Sequence, residues 1–356
     1  MTRVSTDEVW IGGWRGPSIL DVDDSGMHWL ASRDDADPDT AAGVAVVPGT
    51  LMPGFIDHHV HLGLIDPSLL VPGGIAAVVD LGSDPALVAE AARAGAHDPA
   101  LPLVDYAGAF LTAPGGYPTD RSWAPSASIR EIATAEDARV AIDEMIASGA
   151  TRVKIALNAT AGPVWDDLLL AAVIALAHAR GLLVTAHAEG PGQALRAVAA
   201  GADVLAHTPF DGLLDDDHIV EMAARTAWTS TLDIHGHGER TPAFEIALDN
   251  LARFAAAGGR VLYGTDLGNG PLPVGLNPRE LTALAEAGLS RDAIVRALLG
   301  QSGPGSSGPT HDDTVVSRVS WSPEVPPPAD AAHPDIVRWL THVTVLPVHA
   351  VEETFA

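Results

Sequence analysis

Short apolar runs bounded by Gly, Pro or Asp recur along the chain at near-regular intervals, each with the length of a buried strand. They predict strands at Gly54–His61, Ala76–Leu81, Leu103–Phe110, Arg152–Leu157, Leu183–His187, Val204–His207, Ala227–Leu232 and Arg260–Gly264. Most are separated by alanine-rich segments with apolar residues at helical spacing, such as Ala135–Ser148, Trp165–Arg180, Gln193–Ala200 and Phe244–Ala257. Strand followed by helix, repeated over roughly 250 residues, predicts the α/β class and a (β/α)8 TIM barrel whose active site lies where the strands end. A doubly wound open sheet is the competing architecture.

Both ends of the chain break this alternation. Residues 1–50 hold strand-like pieces at Val9–Ile11, Ser18–Leu20, His28–Leu30 and Val44–Val47, divided by turn residues. Residues 301–309, Gln-Ser-Gly-Pro-Gly-Ser-Ser-Gly-Pro, have the composition of a flexible linker. Val315–Trp321 and His342–Leu346 are again strand-like, on either side of Pro326-Pro327-Pro328. The expectation is a small β-sandwich-like domain built from residues 1–50 plus 310–356, a barrel at 51–300, and a linker at 301–309.

Composition narrows the function. A hydrophobic content of 47% across 356 residues supports a sizeable core. No apolar stretch reaches membrane-spanning length, and the start lacks the apolar segment of a secretory signal. There is no cysteine, which excludes disulfides and thiolate metal sites. A cytoplasmic location is expected. The formal charge of −26 repels nucleic acid and anionic membranes, so the expected partner is a small-molecule substrate, with a homo-oligomer left open.

Lys154 is the only lysine, so every other cationic side chain is arginine. It sits in the buried strand pattern Thr151–Leu157. An arginine keeps its proton, whereas a desolvated lysine can lose it, so a lone lysine here points to a need for an amine nitrogen. Other candidates stand at strand ends. Residues two apart in a strand share a face, so His59 and His61 can hold one ion while His58 turns away. His187 ends the fifth strand, His207 the sixth, and Asp266 follows the eighth. Imidazole and carboxylate suit Zn, Mn, Fe or Ni. Each group alone has a plainer reading as a hydrogen-bonded structural residue or turn cap. Six of them at the ends of five strands would converge on one mouth.

These stretches resemble the amidohydrolase superfamily of metal-dependent hydrolases. The resemblance is carried by Pro53–His61, Val153-Lys154-Ile155, Thr185–Gly190, Leu205-Ala206-His207-Thr208 and Tyr263-Gly264-Thr265-Asp266. It covers about residues 48–300 and is similar to the imidazolonepropionase-like and Xaa-Pro dipeptidase (prolidase)-like branch. There a loop after the third strand carries a Gly-Gly pair, as in Thr112–Tyr117 here, with Tyr117 where relatives often have histidine. After the helix Arg291–Leu299, the family's Thr/Asn-Pro-Ala segment is replaced by the Ser/Gly/Pro run.

The resemblance implies two divalent ions, with zinc the first choice, bridged by a CO2-derived carbamate on Lys154. His59, His61 and Asp266 would bind the more buried ion, and His187 and His207 the other. It further implies hydrolysis of an amide bond in a dipeptide, an N-acyl amino acid or a cyclic amide or urea. A metal-bridging hydroxide would attack, with Asp266 as general base and then acid. Tyr117 and His235 are candidate substrate contacts. His235 and His237 form a second His-x-His in a glycine-rich loop. Glu189, two residues from His187, keeps open a mononuclear heterocycle deaminase. A dinuclear lactonase or phosphotriesterase also fits the ligand pattern, and a metal-free scaffold protein is the non-enzymatic reading.

Overall fold

A computed structural model describes residues 2–23, 25–303 and 315–355. Its strands are β1 (Thr2–Val9), β2 (Ser18–Asp23), β3 (Gly26–Ser32), β4 (Ala45–Gly54), β5 (Ile56–Val60), β6 (Ala77–Asp80), β7 (Leu103–Tyr106) and β8 (Phe110–Thr112). They continue as β9 (Ile129–Glu131), β10 (Arg152–Asn158), β11 (Leu183–Glu189), β12 (Val204–Leu205), β13 (Ala227–Thr229), β14 (Arg260–Leu262), β15 (Val315–Ser322) and β16 (Thr344–Pro347).

Two all-parallel sheets carry the middle of the chain, one ordered β14-β13-β12-β11-β10-β8-β9 and the other β5-β6-β7. Helices alternate with these strands. Ala135–Ser148 and Gln193–Ala200 form as the spacing predicts, and Thr134 begins the first of them with a reciprocal capping box to Asp137. The result is a TIM-barrel-like α/β fold. Backbone hydrogen bonds tie the sheets edge to edge: His58 N donates to Tyr263 O (2.9 Å), His61 N to Leu267 O (2.8 Å) and Thr151 N to Tyr106 O (3.2 Å). Every residue of β5 and β10 is buried, as expected of strands covered on both faces. Several of those buried residues are ionisable, which marks where the strands serve something other than packing.

The third predicted strand, Leu103–Phe110, is two. Ala107-Gly108-Ala109 interrupts it, with Gly108 at φ 73°, and a Cβ there would lie 2.5 Å from Met145 Sδ. The break lets β7 pair with β6 while β8 pairs with β10.

Both ends of the chain enter one six-stranded sheet, β16-β15-β4-β1-β2-β3. Rather than two separate sheets, one sheet curls until β3 comes back against β15. Its apolar face (Val4, Val9, Leu20, Val22, Val47, Leu51, Val319) is covered by Val348 and Val351 from the C-terminal helical turns. The first strand spans Thr2–Val9 rather than Val9–Ile11, because pairing with β2 and β4 overrides its polar composition. The predicted linker falls partly outside the described residues, at 304–309, as do 310–314. Within its described part, Gln301 Oε1 accepts from Trp10 Nε1 (2.9 Å). No described helix is long and apolar enough to cross a membrane.

Arg318 of β15 clasps the terminal sheet to the end of the helix Pro85–His97. Its buried guanidinium donates to the carbonyls of Gly95 (2.8 Å), Asp98 (3.2 Å), Pro99 (3.3 Å) and Leu101. Gly95 lies in the last turn of that helix, where carbonyls lack intrahelical partners, and the other three belong to the turn that follows it. Arg318→Ala should therefore destabilise the protein by about 2–4 kcal/mol in chemical denaturation. Arg318→Lys should recover only part, since an ammonium cannot reproduce the planar fork. Full stability in Arg318→Ala would dismiss the clasp.

Candidate metal centre

The C-terminal ends of β5, β10, β11, β12 and β14 open into one cavity of about 530 Å³, lined by His59, His61, Lys154, His187, His207 and Asp266. The structure brings all six expected groups to this mouth. His58, on the opposite face of β5, is buried elsewhere and does not line it.

His59, His207 and Asp266 form the tightest group, with ligand atoms all within 4.8 Å of one another. Their orientation is set from behind. His59 Nδ1 donates to Ala206 O (2.8 Å) and His61 Nδ1 to Gly82 O (3.2 Å), while His207 Nδ1 meets Thr231 Oγ1 at 3.0 Å. A carbonyl only accepts, so in the neutral rings of His59 and His61 the proton sits on Nδ1. Their Nε2 lone pairs then face Asp266 Oδ1, each at 3.1 Å. That oxygen is buried without a hydrogen-bond donor. Lone pairs converging on a carboxylate in a buried site repel one another unless a cation lies among them. Asp266 itself has φ 56°, unusual for a non-glycine residue, and its Oδ2 accepts from Asn269 Nδ2 (2.8 Å).

Burial sets the protonation. It pushes the Lys154 amine down to about 7, with Asp266 and Asp80 working against it. It also pushes the imidazoles of His59 and His207 well below their ordinary range, helped by neighbouring cationic groups. The Lys154 amine stands 3.4 Å from His59 Nε2.

Two carboxylates outside the cavity brace it. Asp57 accepts from Thr265 Oγ1 (2.5 Å), Thr265 N (3.1 Å) and His59 N (3.0 Å), pinning β5 to the segment that carries Asp266. Asp80 accepts from Leu62 N (2.8 Å), Ser83 Oγ (2.8 Å) and Gly82 N (3.1 Å), fixing the loops after β5 and β6. Burial raises both, Asp57 to about 7.

His187 lies beside this group, its ring 5.0 Å from that of His207. Residues 50–294 match the family model described as the amidohydrolase family. The chain belongs to the amidohydrolase family. It is thereby a metal-dependent hydrolase acting on carbon–nitrogen bonds. This amidohydrolase also resembles solved structures along nearly its whole length. A Xaa-Pro dipeptidase with bound methionine shares 16% identity over 98% of each chain, with a TM-score of 0.73. The A. niger ochratoxinase shares 17% over 98% of this chain and 94% of that one, with a TM-score of 0.76. Phenylurea hydrolase B shares 16% over 98% and 95%, with a TM-score of 0.68. At such identities the likeness shows the fold. No curated protein sequence matches the chain.

Around the amidohydrolase centre, Tyr117 stacks on His187 (centroids 5.1 Å apart, planes at 23°), and the Arg121 guanidinium lies 5.6 Å from the tyrosine ring. His235 lines the cavity 4.2 Å from the Phe210 ring, and burial pushes it down to about 4. His237 does not line the cavity. Arg240 is engaged with Glu245 and Glu286 on the surface. Glu189 accepts from Asn158 Nδ2 (2.7 Å) and Thr160 Oγ1 (2.8 Å), and its Oε2 lies 3.3 Å from His187 Nε2. Asn158 was not singled out in the sequence, although alternation puts it on the face of Lys154. Phe110, Trp123 and Phe210 also line the cavity, and nothing in their local sequence marks them.

In the metal-free protein, Lys154 makes stability depend on pH. Its folded pKa lies below the ordinary value of 10.5, so from about 7 to 10.5 the unfolded chain binds more protons, and stability rises with pH. Lys154→Met in chelator-treated protein should raise the melting temperature most at and below pH 7, with the gain fading as pH approaches 10.5. A gain independent of pH would contradict the buried amine.

Proposed function

We propose that the protein hydrolyses an amide bond of a small molecule at a two-ion centre held by His59, His61, Lys154, His187, His207 and Asp266. The observation that carries this reading is Asp266 Oδ1, buried without a donor and faced by two imidazole nitrogens at 3.1 Å. The donor set, nitrogen and oxygen without sulfur, suits zinc and its neighbours. Divalent ions held there would acidify water and polarise a carbonyl.

The chain's own groups have defined tasks. Lys154, with its pKa near 7, presents enough neutral amine to add to CO2: an N–C bond forms, one proton leaves, and a carbamate replaces an ammonium. Asp266 accepts the proton of the attacking water on Oδ1 and passes it to the leaving nitrogen, while Asn269 fixes its other oxygen. Tyr117 and His235 contact substrate from the cavity walls. His235 does so as a neutral ring at pH 7, because burial holds it at about 4.

The bonds joining β5 to the segment after β14, and Thr151 to Tyr106, support one closed (β/α)8 barrel, with strand β7–β8 counted as one. We divide the chain into this barrel at 51–300 and a terminal domain from 1–50 plus 310–356, with β4 bridging the boundary. The charge of −26 favours a small-molecule partner over nucleic acid, and the cysteine-free composition fits a cytoplasmic protein. Three solved structures of similar fold are named as a dipeptidase, an ochratoxinase and a phenylurea hydrolase, which supports an amide or urea substrate. The compact trio of His59, His207 and Asp266, with Glu189 nearby, favours a second reading, a one-ion deaminase.

The test is a panel of dipeptides, N-acyl amino acids, cyclic amides and amino-heterocycles, offered to zinc-loaded protein with bicarbonate. Amide cleavage is expected, and Asp266→Asn should lower kcat/KM by about 10²–10⁴-fold. Ammonia release from the heterocycles alone would favour the deaminase. Near-normal turnover in Asp266→Asn would end its role as proton carrier.

A further inference from the structure

A second cavity of about 190 Å³ adjoins the first and shares His61, Leu64 and Trp123 with it. Its other walls come from the loop after β5 and from the helix Pro85–His97, through Leu62, Leu87, Val88 and Ala91. We propose that this pocket is the substrate's side-group subsite, holding an uncharged aryl or branched-alkyl group beside the scissile amide. The inference rests on the amide-hydrolase reading above and deepens it.

Three observations carry it. The first is size: a cavity of about 150 Å³ lined by aliphatic and aromatic side chains accommodates benzene, so this one fits a phenyl or branched-alkyl group.

The second is that its polar side chains are already engaged within the protein. Ser83 Oγ donates to Asp80 (2.8 Å), Ser128 Oγ to Pro125 O (2.7 Å) and His61 Nδ1 to Gly82 O (3.2 Å). Asp84 accepts from Ala86 N (2.9 Å) at the start of the helix. A polar ligand group would find few free partners here, and an anionic one would meet the Asp84 carboxylate. No arginine or lysine is among the described residues lining this pocket.

The third is the mouth. Leu64 and Leu87 stand 42% and 62% exposed beside it, an apolar entrance continuous with the wall of the metal-centre cavity. Trp123, with its ring 6.0 Å from that of His61 and 6.1 Å from Phe110, is the partition between the two spaces. An amide at the metal centre can thus direct one substituent past Trp123 into the pocket.

The experiment compares acetanilide and phenylacetamide with N-methylacetamide and acetamide on zinc-loaded protein. The aryl amides should be preferred in kcat/KM by roughly tenfold to hundredfold. Ala91→Leu, which fills the pocket from the helix, should lower that ratio several-fold. Leu87→Asp, at an exposed position that leaves the core intact, should lower it as well. A ratio unchanged in both variants overturns the proposal and assigns the pocket to something other than substrate. Should none of the amides be cleaved, the hydrolase reading is in question, and calorimetric titration with acetanilide decides the pocket by itself. Binding that Leu87→Asp and Ala91→Leu both weaken upholds it, and equal binding in all three proteins, or none, overturns it.

Discussion

The geometry of the cavity follows from one electrostatic constraint. Asp266 Oδ1 and the Nε2 atoms of His59 and His61 are held about a hydrogen-bond length apart, yet the protons that would reconcile them are committed to Ala206 and Gly82 behind the rings. Such an arrangement is unfavourable as bare protein and favourable around a cation. Much of the surrounding architecture maintains it. Asp57 ties the first strand to the Asp266 segment, Asp80 fixes two loops, and the left-handed backbone at Asp266 aims its carboxylate inward. The chain accepts local strain and buried charge at this place, as expected where structure serves chemistry.

The same burial that makes the centre costly without cations gives Lys154 its reactivity. A surface lysine would remain ammonium at neutral pH. In the middle of β10, with all seven residues buried, the amine approaches neutrality. Fold and chemistry are therefore linked through desolvation, since a more open cavity would weaken the electrostatics and the amine's nucleophilicity together.

Much of this was legible in the sequence, and the exceptions have physical causes. The alternation in Asp57–His61 fixed which histidines share a face, and the lone lysine stood out against nineteen arginines. Asn158 obeys the same alternation from Lys154 but lacks a distinctive residue type, so it passed unnoticed. The interruption at Gly108 is hidden because a single glycine inside an apolar run reads equally as strand interior or break; the left-handed backbone there, where a side chain would strike Met145, is set by tertiary packing. The extent of the first strand is hidden because β1 is polar in sequence and becomes a strand only through its partners, one of them about forty residues away. Aromatic walls such as Trp123 and Phe210 come from loops whose paths depend on tertiary packing rather than local pattern.

The central claim is that Lys154 joins two ions in one centre. Its most direct test is elemental analysis of metal per chain, on protein purified without chelators and with bicarbonate present. The account predicts about two divalent ions per chain in the native protein, falling sharply in Lys154→Ala. A single ion retained unchanged in Lys154→Ala would contradict it.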